Sequence, residues 1–240
     1  MMKSKKIRDS EPNYDSVFEN FSSDWWNVKG AFKPLHSFNL LRVKYLIDSL
    51  DLPNKDSLKG IRILDIGCGG GIFCEPLARL NATVYGIDSN ESSILAARKH
   101  AKKNNLKITY KQTDIEEFKS SEKFDVITCM EVLEHVEDVQ AVLKKIKLNL
   151  KKNGLFIGST INKTFFSYIF AILFAENILK IVPKNTHEWK KFIKPNNLKK
   201  ILIYEDFKLI DFKGTSYNPL LNSWKYKQDK SINYIFSAKL

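Results

Sequence analysis

Between residues 63 and 71 an apolar run, Ile63-Leu64-Asp65-Ile66, passes directly into Gly67-Cys68-Gly69-Gly70-Gly71. Glycine has no Cβ, so a turn this dense in it bends sharply and admits a ligand to the main chain. A helical pattern follows, and the next apolar run, Thr83-Val84-Tyr85-Gly86-Ile87, ends on Asp88. Strand, glycine turn, helix and a strand with a terminal acid open an α/β domain whose ligand sits at the carboxyl ends of its strands. The glycines stand at 67, 69 and 71 and Ile72 follows, so the dinucleotide spacing G-x-G-x-x-G is not met. A diphosphate also favours positive surroundings at the helix N-terminus. Here Asp65 precedes the turn and no basic residue lies within it. The turn therefore suits a ligand with ribose hydroxyls and a positive centre.

The same alternation continues along the chain. Leu40, Leu41, Val43, Leu46, Ile47 and Leu50 recur at helical spacing and predict a helix over 35–50, ended by Pro53-Asn54. Strands are expected at 62–66, 83–87, 108–112, 124–129 and 155–160. Helices are expected at 73–80, 91–104 and 136–150, the last stopped by Asn153-Gly154. A helix at 196–204 and strands at 208–213 and 233–238 complete the chain. This is an α/β pattern: a Rossmann-like, mostly parallel twisted sheet with helices on both faces. Residues 1–58 read as a helical lead, 59–162 as the ligand-binding core, 163–195 as an apolar and basic insertion, and 196–240 as a C-terminal helix and strands, all in one domain. Asp65, Asp88, Asp114 and Met130-Glu131 fall at or just past strand ends, on the edge where ligands bind.

At 240 residues the chain is long enough for one α/β domain with its own core. Its formal charge of +12 fits a nucleic acid, an anionic membrane surface or a lysine-rich background. The lysines are spread along the whole chain. No compact basic tract is present to track phosphates, and no Asn/Asp-Pro-Pro-Tyr/Phe string follows the fourth strand to grip a flipped base. No nucleic-acid partner is expected. Cys68, Cys74 and Cys129 have no metal-type spacing and fit a reducing compartment. The basic start Lys3-Ser4-Lys5-Lys6 is followed by Asp9, Glu11 and Asp15 where an apolar region should be, so it does not read as a secretory signal. The longest apolar run, 168–175, is far short of the ~18 residues a spanning helix needs.

The glycine turn, with its strand context and Asp88, resembles motif I of the class I methyltransferases, which bind S-adenosylmethionine. The resemblance narrows further along the chain. Pro34-Leu35-His36 with Asn39-Leu40-Leu41-Arg42, then Thr128-Cys129-Met130-Glu131-Val132-Leu133-Glu134-His135-Val136, Pro183-Lys184-Asn185-Thr186-His187, Lys191-Phe192-Ile193-Lys194-Pro195 and Tyr217-Asn218-Pro219 resemble the signatures of the ubiquinone-biosynthesis O-methyltransferases, in the family's order. The resemblance implies an enzyme that methylates a catechol-type hydroxyl on a polyprenylated phenol and the 3-hydroxyl of demethylubiquinone. It also implies other ubiquinone-biosynthesis proteins as partners and a cytoplasmic protein peripheral to the inner membrane face. The alternative is a class I methyltransferase acting on another, soluble small-molecule hydroxyl or amine.

On the cofactor side, the Asp88 carboxylate at a strand end can accept both ribose hydroxyls; its plainer role is an N-cap for the helix beginning at Glu91. Gly67 and Gly69 let the ligand approach the main chain, and Asp65 orders the turn near the cofactor's amino-acid end. Met130 packs on the ligand or fills the core, and Asp114-Ile115 lie beside the adenine. The resemblance adds Arg42, whose guanidinium would hold the cofactor carboxylate.

On the catalytic side, Glu131, Glu134 and His135 are spaced i, i+3, i+4. A helix would put all three on one face, where they could hold a divalent cation that lowers the substrate hydroxyl's pKa. The resemblance supports such a magnesium site. The alternatives are an acidic first helical turn and His135 acting alone as general base. His187, in a loop with Thr186, Glu188 and Trp189, is the other candidate base or an exposed loop histidine. Residues 163–182 are dense in aromatic and aliphatic side chains, with Lys163 before them and Lys184, Lys190, Lys191 and Lys194 after. They read as an interfacial segment on anionic lipid, or as a helix covering the sheet or making a dimer contact.

Overall fold

The computed structural model describes residues 25–30, 32–163 and 192–240. The glycine turn follows the central strand of the parallel half of one eight-stranded sheet. Helix α1 (Lys33–Ser49) leads into β1 (Arg62–Ile66), α2 (Cys74–Arg79), β2 (Thr83–Asp88), α3 (Glu91–Lys103), β3 (Ile108–Gln112) and β4 (Phe124–Met130). Then come α4 (Val139–Asn149), β5 (Leu150–Ile161), α5 (Pro195–Tyr204), β6 (Lys208–Asn218), β7 (Ser223–Lys227) and β8 (Asn233–Lys239). The strand order is β3-β2-β1-β4-β5-β8-β6-β7. Strands β1 to β5 pair in parallel, and β8, β6 and β7 extend the sheet antiparallel.

The two-residue period of the strands assigns the helices to faces. Ile63, Val84, Val126 and Ile157 pack with Tyr45 of α1, Leu77 of α2 and Ile94 of α3. Their chain neighbours Leu64, Ile127 and Phe156 pack with Leu143 and Ile146 of α4 and Leu198 of α5. With apolar residues on both faces these strands read as continuous hydrophobic runs, as parallel strands buried on both sides do. The expected mostly parallel sheet with helices on both faces is what the chain forms.

The boundaries depart furthest from the sequence reading in α4, β5 and β6. Helix α4 starts at Val139, not 136, because Asp138 caps it, its side chain accepting from the backbone of Gln140 at 2.8 Å and Ala141 at 3.0 Å. It ends at Asn149, and Asn153-Gly154 is no helix stop. That pair lies inside β5, where the register jumps from Phe124↔Leu150 to Val126↔Leu155 and Asn153 takes φ 62°, an irregularity of the β-bulge kind. Strand β6 runs on to Asn218 and forms a hairpin with β7, a strand not expected from the sequence. Asn218 Oδ1 accepts from the backbone of Leu220 and Leu221 at the turn. Trp224 of β7 donates from Nε1 to the Pro34 carbonyl at 3.0 Å and stacks on Phe38, docking the hairpin on α1.

Candidate functional site

The carboxyl ends of β1, β2 and β4 and the start of α1 enclose a cavity of about 490 Å³. Its floor is the glycine turn. Gly67, Gly69 and Gly71 take φ of 68°, 51° and 82°. At Gly67 a Cβ would stand 2.2 Å from Val132 Cγ2, so glycine is required by both conformation and space. The turn is tied to β2 by Cys68 N donating to the Ile87 carbonyl at 3.0 Å.

Asp88 ends β2 on the cavity wall. Its Oδ2 accepts from Gly69 N at 2.8 Å and its Oδ1 from Asn90 N at 2.9 Å. The capping role belongs to Asn90, whose side chain accepts from Ser93 N at 2.9 Å at the start of α3. Asp88 is therefore not the N-cap. Asp114 and the buried Ile115 follow β3 and line the same wall. Met130, the last residue of β4, also faces the cavity, and its sulfur accepts from the Ser159 hydroxyl at 3.5 Å.

Asp65 is 2 % exposed and held between the Thr128 hydroxyl at 2.7 Å and the Cys74 thiol at 3.3 Å. Burial pushes its pKa up to about 6 against the pull of those donors and of Arg42. Thr128 had no role assigned to it from sequence: it faces Asp65 only because β1 and β4 pair Asp65 with Thr128. Arg42 projects from α1 into the cavity wall, buried, with its guanidinium 4.3 Å over the Phe38 ring and 3.6 Å from Glu131 Oε1. Its Nε and Nη2 have no hydrogen-bond acceptor among the described residues. Buried donors of this kind are costly unless something accepts from them, and a ligand carboxylate at this end of the cavity would.

The expected helical face of Glu131, Glu134 and His135 does not exist. These residues lie in a turn before α4, and Glu131 sits at φ 59°. Among the described residues it is the one left-handed position that is neither glycine, asparagine nor aspartate, a strained conformation of the kind found at functional sites. The turn gives the three side chains different surroundings. Glu131 reaches Arg42, and His135 is exposed at the cavity rim. Glu134 is 3 % exposed, with Oε2 accepting from the Thr160 hydroxyl at 2.6 Å. Burial, reinforced by Glu131, raises the Glu134 pKa far above the ordinary carboxylate range, to about 8, which favours its protonated form. Among the described residues no group of three His, Cys, Asp or Glu side chains is arranged to hold a metal ion. The magnesium site expected at Glu131, Glu134 and His135 does not fit this geometry. His187 and all of 163–182 but Lys163 lie outside the described residues.

Trp25 and Phe32 are wall residues that the sequence reading passed over. His36, given no role from sequence, has Nε2 2.9 Å from the Trp25 carbonyl.

A family model described as a methyltransferase domain matches residues 57–226. The ubiquinone biosynthesis O-methyltransferase of Pelagibacter ubique is 46% identical over 223 residues, covering 91% of this chain and 93% of its own. The chain belongs to the ubiquinone biosynthesis O-methyltransferase family. A second member, from Rickettsia typhi, is 43% identical over 217 residues, 90% of this chain and 88% of its own. Solved structures share the family's fold at lower identity. Magnesium protoporphyrin IX methyltransferase from Synechocystis, with bound S-adenosylhomocysteine, matches with a TM-score of 0.63 and 19% identity over 97% of this chain and 90% of its own. The N-methyltransferase NodS from Bradyrhizobium japonicum, in complex with S-adenosylhomocysteine, gives 0.62 and 18% over 94% and 97%.

Proposed function

We propose that this protein transfers a methyl group from S-adenosylmethionine to catechol-type hydroxyls of polyprenylated phenols and to the 3-hydroxyl of demethylubiquinol. Family membership supports the substrate class. The observation that carries the cofactor is the strand order β3-β2-β1-β4, which sets Asp114-Ile115, Asp88, the glycine turn and, beside Glu131 past β4, Arg42 in a row on the cavity, a row that suits adenine, ribose, methionyl chain and carboxylate.

When bound, S-adenosylmethionine supplies a methyl carbon made electrophilic by its sulfonium. Asp88 accepts from the ribose hydroxyls, and Gly69, already bonded to Asp88, brings the main chain against the methionyl part. Arg42 holds the carboxylate in charge-assisted hydrogen bonds, while buried Asp65 fixes the turn beneath. Met130 packs at the β4 end, where it would lie beside the methyl group presented to the substrate oxygen. The hydroxyl proton goes to a base, for which rim-exposed His135 is the candidate among the described residues and His187 the one beyond them. Alignment and exclusion of water supply most of the rate.

We take the whole chain as one methyltransferase domain, with 163–195 as its insertion. We assign that insertion to the inner membrane face, where a polyprenylated substrate resides and where other ubiquinone-biosynthesis proteins would meet it. No helix of the described residues is long and apolar enough to cross a membrane.

The test is methyl transfer to a short-chain demethylubiquinol and to a prenylated catechol, each with and without EDTA. Turnover of both, with a loss of roughly 10² or more in His135→Ala, supports the reading. A metal-stimulated rate would return magnesium to the site. Cofactor binding without turnover of either substrate would overturn the substrate assignment.

A further inference from the structure

The turn between β6 and β7, Asn218-Pro219-Leu220-Leu221-Asn222, is firmly held yet exposes apolar side chains. Asn218 Oδ1 accepts from Leu220 N at 3.0 Å and Leu221 N at 3.2 Å. Asn222 Oδ1 accepts from the Tyr217 hydroxyl at 2.9 Å and the Ser37 hydroxyl at 3.2 Å. Turn positions ordinarily go to small polar residues, proline or glycine. Here Leu220 is 94 % exposed and Leu221 73 %. Apolar side chains grouped on a surface in this way mark a contact.

Helix α1 continues that surface. Lys33, Ser37, Leu40 and Lys44 are spaced i, i+4, i+7 and i+11, one stripe of the helix. Ser37, bonded to Asn222, sets the stripe beside the turn, and Leu40 on it is 78 % exposed. The charge around these leucines has one sign. No Asp or Glu occurs from 25 to 47 or from 212 to 228. Lys33 and Lys225 are exposed and have no ion-pair partner among the described residues, while Lys44 is paired with Asp48 at 2.7 Å. A second copy of this chain would bring the same lysines face to face, and like charges across an interface are costly. Anionic lipid satisfies both features: leucines enter the boundary between headgroups and acyl chains, and lysines meet the phosphates.

We propose that the β6–β7 turn and the Leu40 stripe of α1 form a docking surface for an anionic bilayer, into which Leu220 and Leu221 insert. The proposal rests on the membrane reading above and adds to it a contact separate from 163–195. Phe32 and Leu35, at the start of α1, line the cavity, and Trp224 Nε1 is bonded to the carbonyl of Pro34 between them. Docking the turn sets the bilayer beside the α1 wall of the site, close to where a polyprenylated acceptor is needed.

The test uses the full chain with vesicles of phosphatidylglycerol and phosphatidylcholine in equal parts, and with phosphatidylcholine alone. An environment-sensitive fluorophore on Leu220→Cys reads the turn itself, since Cys68, Cys74 and Cys129 are buried. Its emission is expected to shift to the blue with the anionic vesicles and not with the neutral ones. In co-sedimentation, Leu220→Ser/Leu221→Ser should bind anionic vesicles about tenfold or more weakly. Lys33→Glu should bind them about fivefold more weakly at low ionic strength. None of these residues lines the cavity, so both variants should keep wild-type turnover of a short-chain acceptor in solution. Their KM for a long-chain acceptor carried in anionic vesicles should rise. Vesicle binding with no blue shift, and undiminished in the double variant, would overturn the proposal and leave the membrane contact to 163–195. No binding to either vesicle would overturn the membrane reading as well. Self-association of the wild type that is lost in the double variant, with vesicle binding unaffected, would assign the leucines to a second copy and overturn the proposal.

Discussion

The Gly69 amide donates to Asp88 Oδ2 at 2.8 Å, across nineteen residues of sequence. That bond ties the turn after β1 to the acid at the end of β2, so these two parts of the cavity wall move as one. Asn90 N holds the other carboxylate oxygen at 2.9 Å. The carboxylate is aimed by backbone donors on both sides and lines the cavity.

Asp88→Ala should weaken S-adenosylmethionine binding roughly tenfold to a hundredfold, the worth of hydrogen bonds to a charged group. It should also lower the melting temperature, since two backbone donors lose their acceptor. Calorimetric titration checks it. Unchanged affinity would remove the ribose assignment.

Arg42→Met keeps much of the side-chain volume over Phe38 while deleting the guanidinium that faces Glu131. KM for S-adenosylmethionine should rise about tenfold or more, because a charge-assisted contact to the carboxylate is lost. Arg42→Lys should recover only part, lacking the planar fork. Steady-state kinetics at saturating methyl acceptor measures both. A KM unchanged in Arg42→Met would place the carboxylate elsewhere.

Gly67→Ala forces a residue with a Cβ into φ 68° and against Val132 Cγ2. The cost should be about 1–3 kcal/mol for the backbone conformation together with overpacking. Adding Val132→Ala should return the steric part and not the conformational part. Urea unfolding of the single and double variants separates the two. Full recovery in the double variant would show that the conformation costs nothing.

Glu134 holds its proton to about pH 8 in the folded protein, against an ordinary 4.5. Between those values the native state binds a proton that the unfolded chain has lost. Its contribution is therefore fully present below about pH 4.5 and is lost as pH rises through 8. The slope is about 1.4 kcal/mol per pH unit within that window. Glu134→Gln has no such proton, so its stability should be flatter between pH 5.5 and 8.5 by about that slope. Denaturant midpoints across the range test it; parallel curves for wild type and variant would show that Glu134 is ionised when folded.

Much of the cofactor edge was legible in residue order because its signals are local. Strands β1 and β2 are apolar runs with abrupt ends, and the glycines between them take left-handed conformations that few other residues accept. Asp65, Asp88, Asp114 and Met130 could be set on one edge from strand ends alone, since parallel strands bring their carboxyl ends together. Helix α4 was found by its period, but its start was misread. Asp138 outcompetes the residues before it as a cap, and Glu131 N continues the sheet by donating to the Ser159 carbonyl at 2.9 Å. A spacing of i, i+3, i+4 places side chains on one face only inside a helix; in this turn it does not gather Glu131, Glu134 and His135 as metal ligands. Strand β7, five residues alternating polar and aromatic, was too short to stand out before its docking on α1 was known.

Residue order sufficed for the class of fold, the glycine turn, the strand-end acids and the family, because each rests on steric or periodic rules acting over a few neighbouring residues. Pairing across long stretches of chain settled the rest. The hydroxyl of Thr128 beside Asp65, the acid form of Glu134 under Thr160, the guanidinium of Arg42 buried with unmet donors and the Trp25 indole laid over Gly69 and Gly70 all arise from packing. Desolvation, strand register and ring contact are properties of a folded interior, and no window of the chain contains them.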